Sequence, residues 1–299
     1  MATRGFANAE GRFVRPPSKF RDRVAELEPG RYHLYVSWAC PWAHRTVILR
    51  KLLGLEDAIS MSVVDPYRDE RGWMFSGGDY EDPVNGFGLL SEAYAATEPA
   101  FDGRISVPVL WDKQEGRIVN NESADLVRML GEWAAEGGPV LYPEAAREEI
   151  DRLNDRIYET VNNGVYKAGF ATSQAAHEEE VQALFETLAL LEDLLGERRW
   201  RAGTPEPSEA DWRLFTTLVR FDTVYALHFK CNVRRIADHP NLWAYTRELY
   251  QWPGVSETVR MDEIKRHYYT THPSINPTRL IPVGPALDFE APHGREALR

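Results

Sequence analysis

A single thiol in a Cys-Pro-Trp-Ala motif is the residue of this chain best suited to chemistry. Cys40 follows the apolar run Tyr32–Val36 and precedes a helical pattern over residues 47–53, which predicts a strand-to-helix turn. Pro41 suits the first position of a helix, because its fixed φ fits there and its missing N–H would have no helical partner. The sequence therefore predicts Cys40 at a helix N-terminus, where the partial positive charge favours the nucleophilic thiolate.

The motif holds one thiol where a dithiol oxidoreductase holds two. Ala43 stands at the position of the resolving cysteine, so a mixed disulfide formed at Cys40 has no internal thiol to clear it. An external thiol must then be the second reactant. The alternative interpretation is that Cys40 is a small buried hydrophobic residue, which its placement at a helix start disfavours.

Cys231 and two polar neighbours of Cys40 are weaker candidates. Cys231, the second of two cysteines in the chain, lies in a polar segment without a helix start, so we expect it to be structural or incidental. His44 is one helical turn from Cys40, but two ligands without a second cluster make a poor metal site, so we predict no metal. His44 and Arg45 either add positive potential near the thiolate or are ordinary polar helix residues.

The composition indicates a soluble protein of two domains. A chain of 299 residues with 43% hydrophobic content can build two cores. No window approaches the roughly 18 apolar residues of a membrane span, and residues 1–5 lack the apolar core of a secretory signal. The net charge of −11 disfavours a general nucleic-acid binder. Because two cysteines fit a reducing compartment, we expect a cytoplasmic protein with no nucleic-acid or membrane partner.

Strand and helix patterns alternate through the first half of the chain in the order β-α-β-α-β-β-α. The predicted strands cover residues 32–36, 59–64, 104–111 and 117–119. The predicted helices cover residues 41–53 and 90–97, and a third begins at the polar run 120–125. A right-handed crossover makes the first two strands parallel. The free amide groups at the start of the third helix suit an anionic or carboxylate ligand.

A long loop rich in Gly, Asp and Pro, over residues 65–89, interrupts this alternation. Loops of this length in a compact domain commonly cover a site, so Trp73 is a candidate for a lid or a pocket wall. The alternative is that Trp73 and Phe75 only anchor the loop to the core. The sequence favours neither interpretation over the other.

Helical periodicity replaces the strands in the second half of the chain, after the Gly-Gly-Pro of residues 137–139. Ser208 and Asp211 resemble a capping box at the start of one of these helices. The run Asn162-Asn163-Gly164 weakens another helix, and this break would present Tyr166 to an interdomain cleft. The alternative for Tyr166 is a place in the core, which is commoner for a tyrosine in a helical domain.

Both ends of the chain lack periodicity. We expect residues 1–30 to lie over the first domain or to be partly disordered, and the Pro- and Gly-rich residues 273–299 to lie over the surface.

These motifs together resemble the glutathione transferase fold, and more closely the glutathionyl-hydroquinone reductases of the xi class. The matching segments are Cys40-Pro41-Trp42-Ala43-His44-Arg45, Gly72-Trp73, residues 104–110, Asn120-Asn121-Glu122-Ser123, residues 162–170 and His267-Tyr268-Tyr269. The Cys-Pro-x-Ala motif is shared with other cysteine-type transferases, whereas the whole set is specific. The resemblance implies an α/β plus all-α fold, with a thioredoxin-like domain at 31–138 and an all-helical glutathione-transferase domain at 139–272. An extension (1–30) and a tail (273–299) flank them.

The resemblance also implies which residues bind glutathione. The glycyl and cysteinyl parts of glutathione would lie near Trp73 and Val107. Val107-Pro108 would be a cis peptide whose backbone pairs with the cysteinyl part. Glu122 would take the γ-glutamyl ammonium group and Ser123 its carboxylate, while Arg104 assists with charge.

For the chemistry, the resemblance implies Cys40 as the nucleophile and Tyr166 as the proton donor. Tyr225 and Tyr268 would help to keep the thiol ionised. The sequence does not distinguish Tyr268 from Tyr269 as the residue that faces the site.

The implied activity is glutathione-dependent reduction of glutathionyl-hydroquinones through a mixed disulfide of Cys40 with glutathione. Glutathione would be the co-substrate, with no metal, flavin or nicotinamide, and the protein would be a homodimer. Two alternatives stay open: an omega-like thioltransferase or dehydroascorbate reductase, and a non-catalytic interaction module of the glutathione-transferase type. A plain conjugating transferase is disfavoured, because a cysteine tends to form a disulfide with glutathione instead of stabilising its thiolate.

Overall fold

The chain divides into two units, and the structure, a computed structural model, describes residues 7–134 and 138–298. The N-terminal unit comprises Pro16–Pro139 and Glu257–Thr271. The helical unit comprises residues 7–15, Val140–Ser256 and residues 272–298. The start of the predicted extension (residues 1–6), Gly137 at the predicted domain boundary and the last residue of the predicted tail lie outside the described residues.

A mixed sheet in the order β2-β1-β3-β4 lies at the centre of the N-terminal unit. Its strands are β1 (Tyr32–Val36), β2 (Ser60–Val63), β3 (Val109–Asp112) and β4 (Arg117–Asn120). β1 is parallel to β2, while β3 is antiparallel to both β1 and β4. The predicted parallel pair and the predicted hairpin are therefore confirmed. Every residue of β1 is buried, as expected of a central strand covered on both faces.

Three helices alternate with these strands in the predicted order: α1 (Pro41–Leu52), α2 (Leu90–Thr97) and α3 (Ser123–Glu132). The bounds of α2 are those that the sequence predicts. The third predicted strand is shorter than expected, because it begins at Val109 and not at Arg104. Pro108 has no N–H to contribute to the ladder, so the pairing starts after it.

Helices α4 to α8 belong to the helical unit: α4 (Arg147–Ile157), α5 (Gly164–Phe170), α6 (Gln174–Glu197), α7 (Glu209–Arg220) and α8 (Pro240–Tyr250). All twelve residues of α7 are buried, so this helix lies in the core of the unit. The predicted capping box at its start is confirmed. The N–H and the hydroxyl of Ser208 both donate to Asp211 Oδ2, each at 2.8 Å.

Two short π-helical segments interrupt the regular helices of this unit. Tyr158–Asn162 follows α4, and Phe221–Tyr225 follows α7. Asn163 follows the first segment as the N-cap of α5, which begins at Gly164. The predicted helix break is therefore confirmed. Such wide turns are frequent at functional sites, and here they place Tyr166 just after one of them and Tyr225 within the other.

The last helix, α9 (Met261–Thr271), belongs to the N-terminal unit, whereas the sequence predicts that residues 139–272 form the helical domain. Contacts far apart in sequence explain the difference. His267 of α9 has its Nδ1 2.7 Å from the Pro66 carbonyl oxygen, and its ring stacks on Trp73 at 4.9 Å. Just before the helix, the Thr258 hydroxyl lies 2.8 Å from His44 Nε2. The helix pattern of residues 261–271 carries no sign of these partners, so its assignment cannot be made from periodicity.

The N-terminal extension is divided between the two units. Phe20 exchanges hydrogen bonds with Asn121 in the N-terminal unit, as the expected position over the first domain requires. Residues 7–15 instead pack within the helical unit, so the expectation is wrong for this part. Arg12 pairs with Glu179 at 2.5 Å. Gly11 has a φ of +76° and lies close to Ser173, so that a Cβ on Gly11 would be 2.9 Å from the backbone nitrogen of Ser173.

The C-terminal tail is anchored by Arg295, which is buried. Its guanidinium donates to Glu248 Oε2 at 3.0 Å and to the Leu195 carbonyl at 2.8 Å. The other described residues of the tail are exposed or partly exposed, as expected of a segment that lies over the surface, and Arg295 is its buried anchor. No helix among the described residues is long and apolar enough to cross a membrane.

Candidate active site

Cys40 is the residue directly before α1, as predicted. Its N–H donates to the Ser37 carbonyl at 3.1 Å, which closes the turn between β1 and the helix. Pro41 is the first residue of α1, and Cys40 makes no side-chain cap. The thiol is half-buried, and its Sγ lies 3.6 Å from the Val107 carbonyl oxygen, toward which the S–H points. The cysteine and the Val107-Pro108 segment are therefore neighbours.

The Val107-Pro108 peptide bond is cis, which confirms the geometry that the resemblance implies. Val107 is buried, and Arg104, three residues earlier, is partly exposed. The Val107 carbonyl faces the thiol. Val107 can therefore present backbone polar groups beside Cys40, and the contact of Arg104 with a ligand stays a prediction.

Glu122 and Ser123 form the start of α3, as predicted. Glu122 is the N-cap residue, and its Oε1 accepts from the Ala124 N–H at 3.1 Å. Its Oε2 accepts from the Ser18 hydroxyl at 2.9 Å, so the carboxylate is held on both oxygens. Ser123 is 3% exposed. A carboxylate and a hydroxyl at a helix N-terminus suit a ligand that carries both an ammonium and a carboxylate group.

His44 and Arg45 are both buried in α1. His44 contacts Thr258, as described above. The Arg45 guanidinium lies 4.5 Å from the centre of the Trp42 ring and donates to Ser123 Oγ at 3.3 Å. Among the described residues, no group of three or more His, Cys, Asp or Glu side chains could hold a metal ion.

Tyr94 links the two candidate glutathione-binding segments and is not among the residues that the sequence predicts for the site. Its hydroxyl donates to the Ser106 carbonyl at 2.7 Å and accepts from the Ser106 N–H at 3.1 Å. The same oxygen accepts from Asn121 Nδ2 at 3.0 Å. One buried phenol thus connects the residue before Val107 to the residue before Glu122. The short helix α2 offers no sequence signal for this role.

Trp73 is 5% exposed and contacts two side chains of its own unit. Its ring stacks on His267 of α9 at 4.9 Å, with an angle of 18° between the planes. The Arg68 guanidinium lies 5.1 Å from the ring centre. Phe75 contacts the Tyr35 ring at 5.4 Å. Both aromatic residues therefore anchor the loop, and the contact of Trp73 with a ligand stays a prediction.

Tyr268 and Tyr269 lie on α9 in the N-terminal unit, and both are buried. The Tyr268 ring contacts the His267 ring at 5.2 Å. Burial raises the pKa of Tyr269 to about 12. The implied role of Tyr268 stays a prediction.

Tyr166 and Tyr225 lie together in the helical unit, with ring centres 6.0 Å apart. Phe229 contacts both rings, at 5.5 Å from Tyr166 and 5.6 Å from Tyr225. Tyr225 is fully buried, whereas Tyr166 is half-buried. Of these two phenols, the Tyr166 ring is the one with access to solvent.

Cys231 is fully buried, and desolvation raises the pKa of its thiol to about 12. A thiol with so high a pKa stays protonated near neutral pH and is a poor nucleophile. The structure therefore supports the prediction that Cys231 is structural.

Comparisons with known proteins agree with this architecture. The family model of the glutathione S-transferase N-terminal domain matches residues 39–133, and that of the C-terminal domain matches residues 174–248. Glutathionyl-hydroquinone reductase PcpF of Sphingobium chlorophenolicum is 50% identical, over 92% of this chain and 90% of its own.

Two solved structures share the fold over most of their length. The glutathione-bound structure of YqjG from Escherichia coli K-12 has a TM-score of 0.87 and 51% identity, and covers 90% of each chain. A xi class glutathione transferase from Natrialba magadii has a TM-score of 0.91 and 52% identity, covering 93% of this chain and 89% of its own.

A thioredoxin-like sheet with a cysteine at its first helix, joined to a helical unit, defines an enzyme of the glutathione transferase type. The family matches agree with both halves of this architecture. Within that family, the chain belongs to the xi class, the glutathionyl-hydroquinone reductases.

Proposed function

We propose that this enzyme removes glutathione reductively from glutathionyl-hydroquinones, and that Cys40 is its nucleophile. The observation that carries the proposal is the position of the Cys40 thiol, half-buried at the start of α1 and 3.6 Å from the Val107 carbonyl. A relative at 50% identity bears the name of this activity. The absence of a resolving thiol at Ala43 gives the second reactant, a free glutathione.

The reaction proceeds in two thiol-transfer steps. The Cys40 thiolate attacks the sulfur of the substrate, and a disulfide forms as the carbon–sulfur bond breaks. The electron pair of that bond passes to the aromatic carbon, which takes a proton from Tyr166 and leaves as the hydroquinone. A second glutathione thiolate then attacks the mixed disulfide on the glutathione sulfur, which releases oxidised glutathione and frees Cys40.

The glutathione part of the substrate binds across the N-terminal unit. Glu122 accepts the γ-glutamyl ammonium group, and Ser123 donates to the γ-glutamyl carboxylate at the start of α3. The backbone of Val107 pairs with the cysteinyl part, which brings its sulfur to Cys40. Trp73 contacts the glycyl end, and Arg104 adds positive charge for a carboxylate.

Tyr166 is the proton donor of the first step. Its ring is half-buried, as a group that meets substrate must be, whereas Tyr225 and Tyr268 are buried. These two tyrosines act on the thiol environment and do not deliver the proton. Phenol donation and thiolate attack require opposite protonation states, which is typical of acid–base pairs in active sites.

The proposed reaction needs no cofactor besides glutathione. Two thiols supply both electrons of the reduction, so the reaction balances without nicotinamide, flavin or metal. A free cysteine of this kind works in a reducing compartment such as the cytoplasm. We extend the proposal to a homodimer, the assembly that the family resemblance implies.

The experiment compares two substrates and two variants. Wild type should release hydroquinone from a glutathionyl-hydroquinone faster than it deglutathionylates a peptide, whereas an omega-like thioltransferase would show the reverse order. Cys40→Ala should lose both reactions, while Cys231→Ala should keep both. Retention of hydroquinone release by Cys40→Ala would overturn the proposal. In deuterium oxide, the released hydroquinone should carry one deuterium at the former carbon–sulfur position.

A further inference from the structure

The N-terminal segment of residues 7–15 places a cation against the proposed proton donor. The guanidinium carbon of Arg15 lies 4.8 Å from the centre of the Tyr166 ring. Arg15 Nε donates to Asn163 Oδ1 at 2.8 Å. Asn163 precedes α5, and its carbonyl accepts from the Tyr166 N–H at 3.0 Å. Arg15 therefore contacts both the ring of Tyr166 and the residue from which its helix starts.

Other residues of the same segment attach it to the helical unit. The Gly11 carbonyl accepts from the Thr172 N–H at 2.9 Å, and the Phe13 ring contacts Phe170 at 5.5 Å. The Arg12–Glu179 pair of the same segment is exposed to solvent and adds little to this attachment. These contacts hold the segment without Arg15. The Arg15 guanidinium is thus positioned over Tyr166 by an anchor that does not depend on it.

We propose that Arg15 is a positioning residue for Tyr166, which fixes its ring and stabilises the tyrosinate that remains after proton transfer. The inference rests on the proposed function, in which Tyr166 is the donor. As the carbon–sulfur bond breaks, the phenol proton goes to the aromatic carbon and leaves a negative charge on the Tyr166 oxygen. Solvent returns a proton to this oxygen before the next turnover.

The charge of Arg15 suits this step better than a neutral contact. A guanidinium stays protonated throughout the pH range of proteins, and a cation near the face of an aromatic ring is attracted even to the neutral phenol. The attraction grows once the ring carries a negative charge, so the contact is stronger after proton transfer than before it. Interactions that strengthen along the reaction coordinate raise kcat.

The test uses the full-length enzyme and two reactions. The first is the reduction of a glutathionyl-hydroquinone, in which a carbon must be protonated. The second is the reduction of a mixed disulfide of glutathione with 2-mercaptoethanol, in which the leaving group is a thiolate and no carbon is protonated. Arg15→Met removes the charge, and Arg15→Lys keeps it without the planar fork. Arg12→Met is the matched control, an arginine of the same segment that pairs with Glu179.

We expect Arg15→Met to lower kcat for the glutathionyl-hydroquinone about tenfold, with KM for glutathione changed by less than about twofold. The mixed-disulfide reaction should stay within about twofold of wild type. The solvent deuterium isotope effect on kcat should rise, because proton transfer becomes slower. Arg15→Lys should recover part of the loss, and Arg12→Met should behave as wild type.

An equal loss in both reactions, the same loss in Arg12→Met, or no loss in Arg15→Met would overturn the inference. Tyr166→Phe separates this result from a failure of the proposed function. If Tyr166→Phe slows hydroquinone release and Arg15→Met does not, only the role of Arg15 is overturned. If Tyr166→Phe leaves the rate unchanged, the donor assignment itself is wrong, and the Arg15 inference falls with it.

Discussion

The Tyr94 hydroxyl both donates to the carbonyl of Ser106, at 2.7 Å, and accepts from the N–H of Ser106, at 3.1 Å. Through Asn121 the same oxygen reaches the segment of Glu122 and Ser123. The phenol oxygen therefore joins the two stretches of backbone to which we assign the cysteinyl and γ-glutamyl parts of glutathione.

Tyr94→Phe should weaken glutathione binding. Loss of the hydroxyl leaves the Ser106 and Asn121 groups without a buried partner, which costs about 1–3 kcal/mol of stability. The segments on either side then lose their common support, so we expect the Kd for glutathione to rise about three- to tenfold. Isothermal titration calorimetry and urea unfolding measure the two effects.

Tyr245→Phe is the control for Tyr94→Phe. Tyr245 is a buried tyrosine of the helical unit, whose hydroxyl donates to Asp211 Oδ1 at 2.7 Å. Tyr245→Phe should lower the free energy of unfolding by a similar amount, with no change in glutathione affinity. An equal weakening of glutathione binding in both variants would show that the effect of Tyr94 is general destabilisation.

His267 should control the order of the loop that carries Trp73. Its ring stacks on Trp73, and its Nδ1–H donates to the Pro66 carbonyl at 2.7 Å, near the start of the loop. His267→Ala removes both contacts, so limited proteolysis within residues 65–89 should become faster. His267→Phe keeps the stacking ring and should show an intermediate rate. Cleavage as slow as in wild type for both variants would contradict the role of His267.

The sequence predicts the parts of the site that local patterns encode. Cys40 before Pro41, Glu122 at the start of α3 and the break before Tyr166 all follow from short motifs whose geometry depends on neighbouring residues. The order of strands and helices in the N-terminal unit follows from periodicity in the same way.

The contacts that support the site depend on residues far apart in the chain. Arg15 and Tyr166 are separated by about half of the sequence, and His44 contacts Thr258 across 214 positions. Neither pair leaves a periodic pattern. Periodicity cannot assign α9 to the N-terminal unit for this reason, because it indicates which face of a helix is buried and not which element covers that face.

Gly169 should be essential for the aromatic cluster around Tyr166. A Cβ at this position would lie 2.2 Å from Cγ of Phe229, the ring that contacts both Tyr166 and Tyr225. Gly169→Ala must displace Phe229, and we expect a loss of about 1–3 kcal/mol in the free energy of unfolding, with a lower kcat for hydroquinone release.

Gly164→Ala provides the matched control for Gly169→Ala. A Cβ at Gly164 would meet nothing closer than the Glu159 carbonyl oxygen, at 3.7 Å. Alanine in a helix is favoured over glycine, so this variant should be as stable as wild type or up to about 1 kcal/mol more stable. Urea denaturation of the two variants measures the difference. Equal stabilities would show that Phe229 yields without cost.

Glu263 should make the stability of the protein fall as the pH rises. Burial, with a smaller contribution from Asp262, raises the pKa of Glu263 from 4.5 to about 7, while Arg260 and Arg266 act in the opposite direction. Because the folded pKa lies above the unfolded one, the stabilising contribution is fully present below about pH 4.5 and is lost as the pH rises through about 7. Glu263→Gln should therefore raise the melting temperature at pH 8 but not at pH 4. An equal change in melting temperature on Glu263→Gln at pH 4 and at pH 8 would contradict the assignment.

Cys40 should be the one thiol of the native protein that reacts with an alkylating agent. The Cys231 thiol is fully buried and its pKa is raised to about 12, so it is neither accessible nor ionised near pH 8. Native protein treated with iodoacetamide at that pH should take a single adduct, located at Cys40 by peptide mass spectrometry. Cys40→Ala should take none, Cys231→Ala should take one, and wild type in denaturant should take two. A native adduct on Cys231 would mean that its surroundings open in solution, because alkylation requires both access and ionisation of the sulfur.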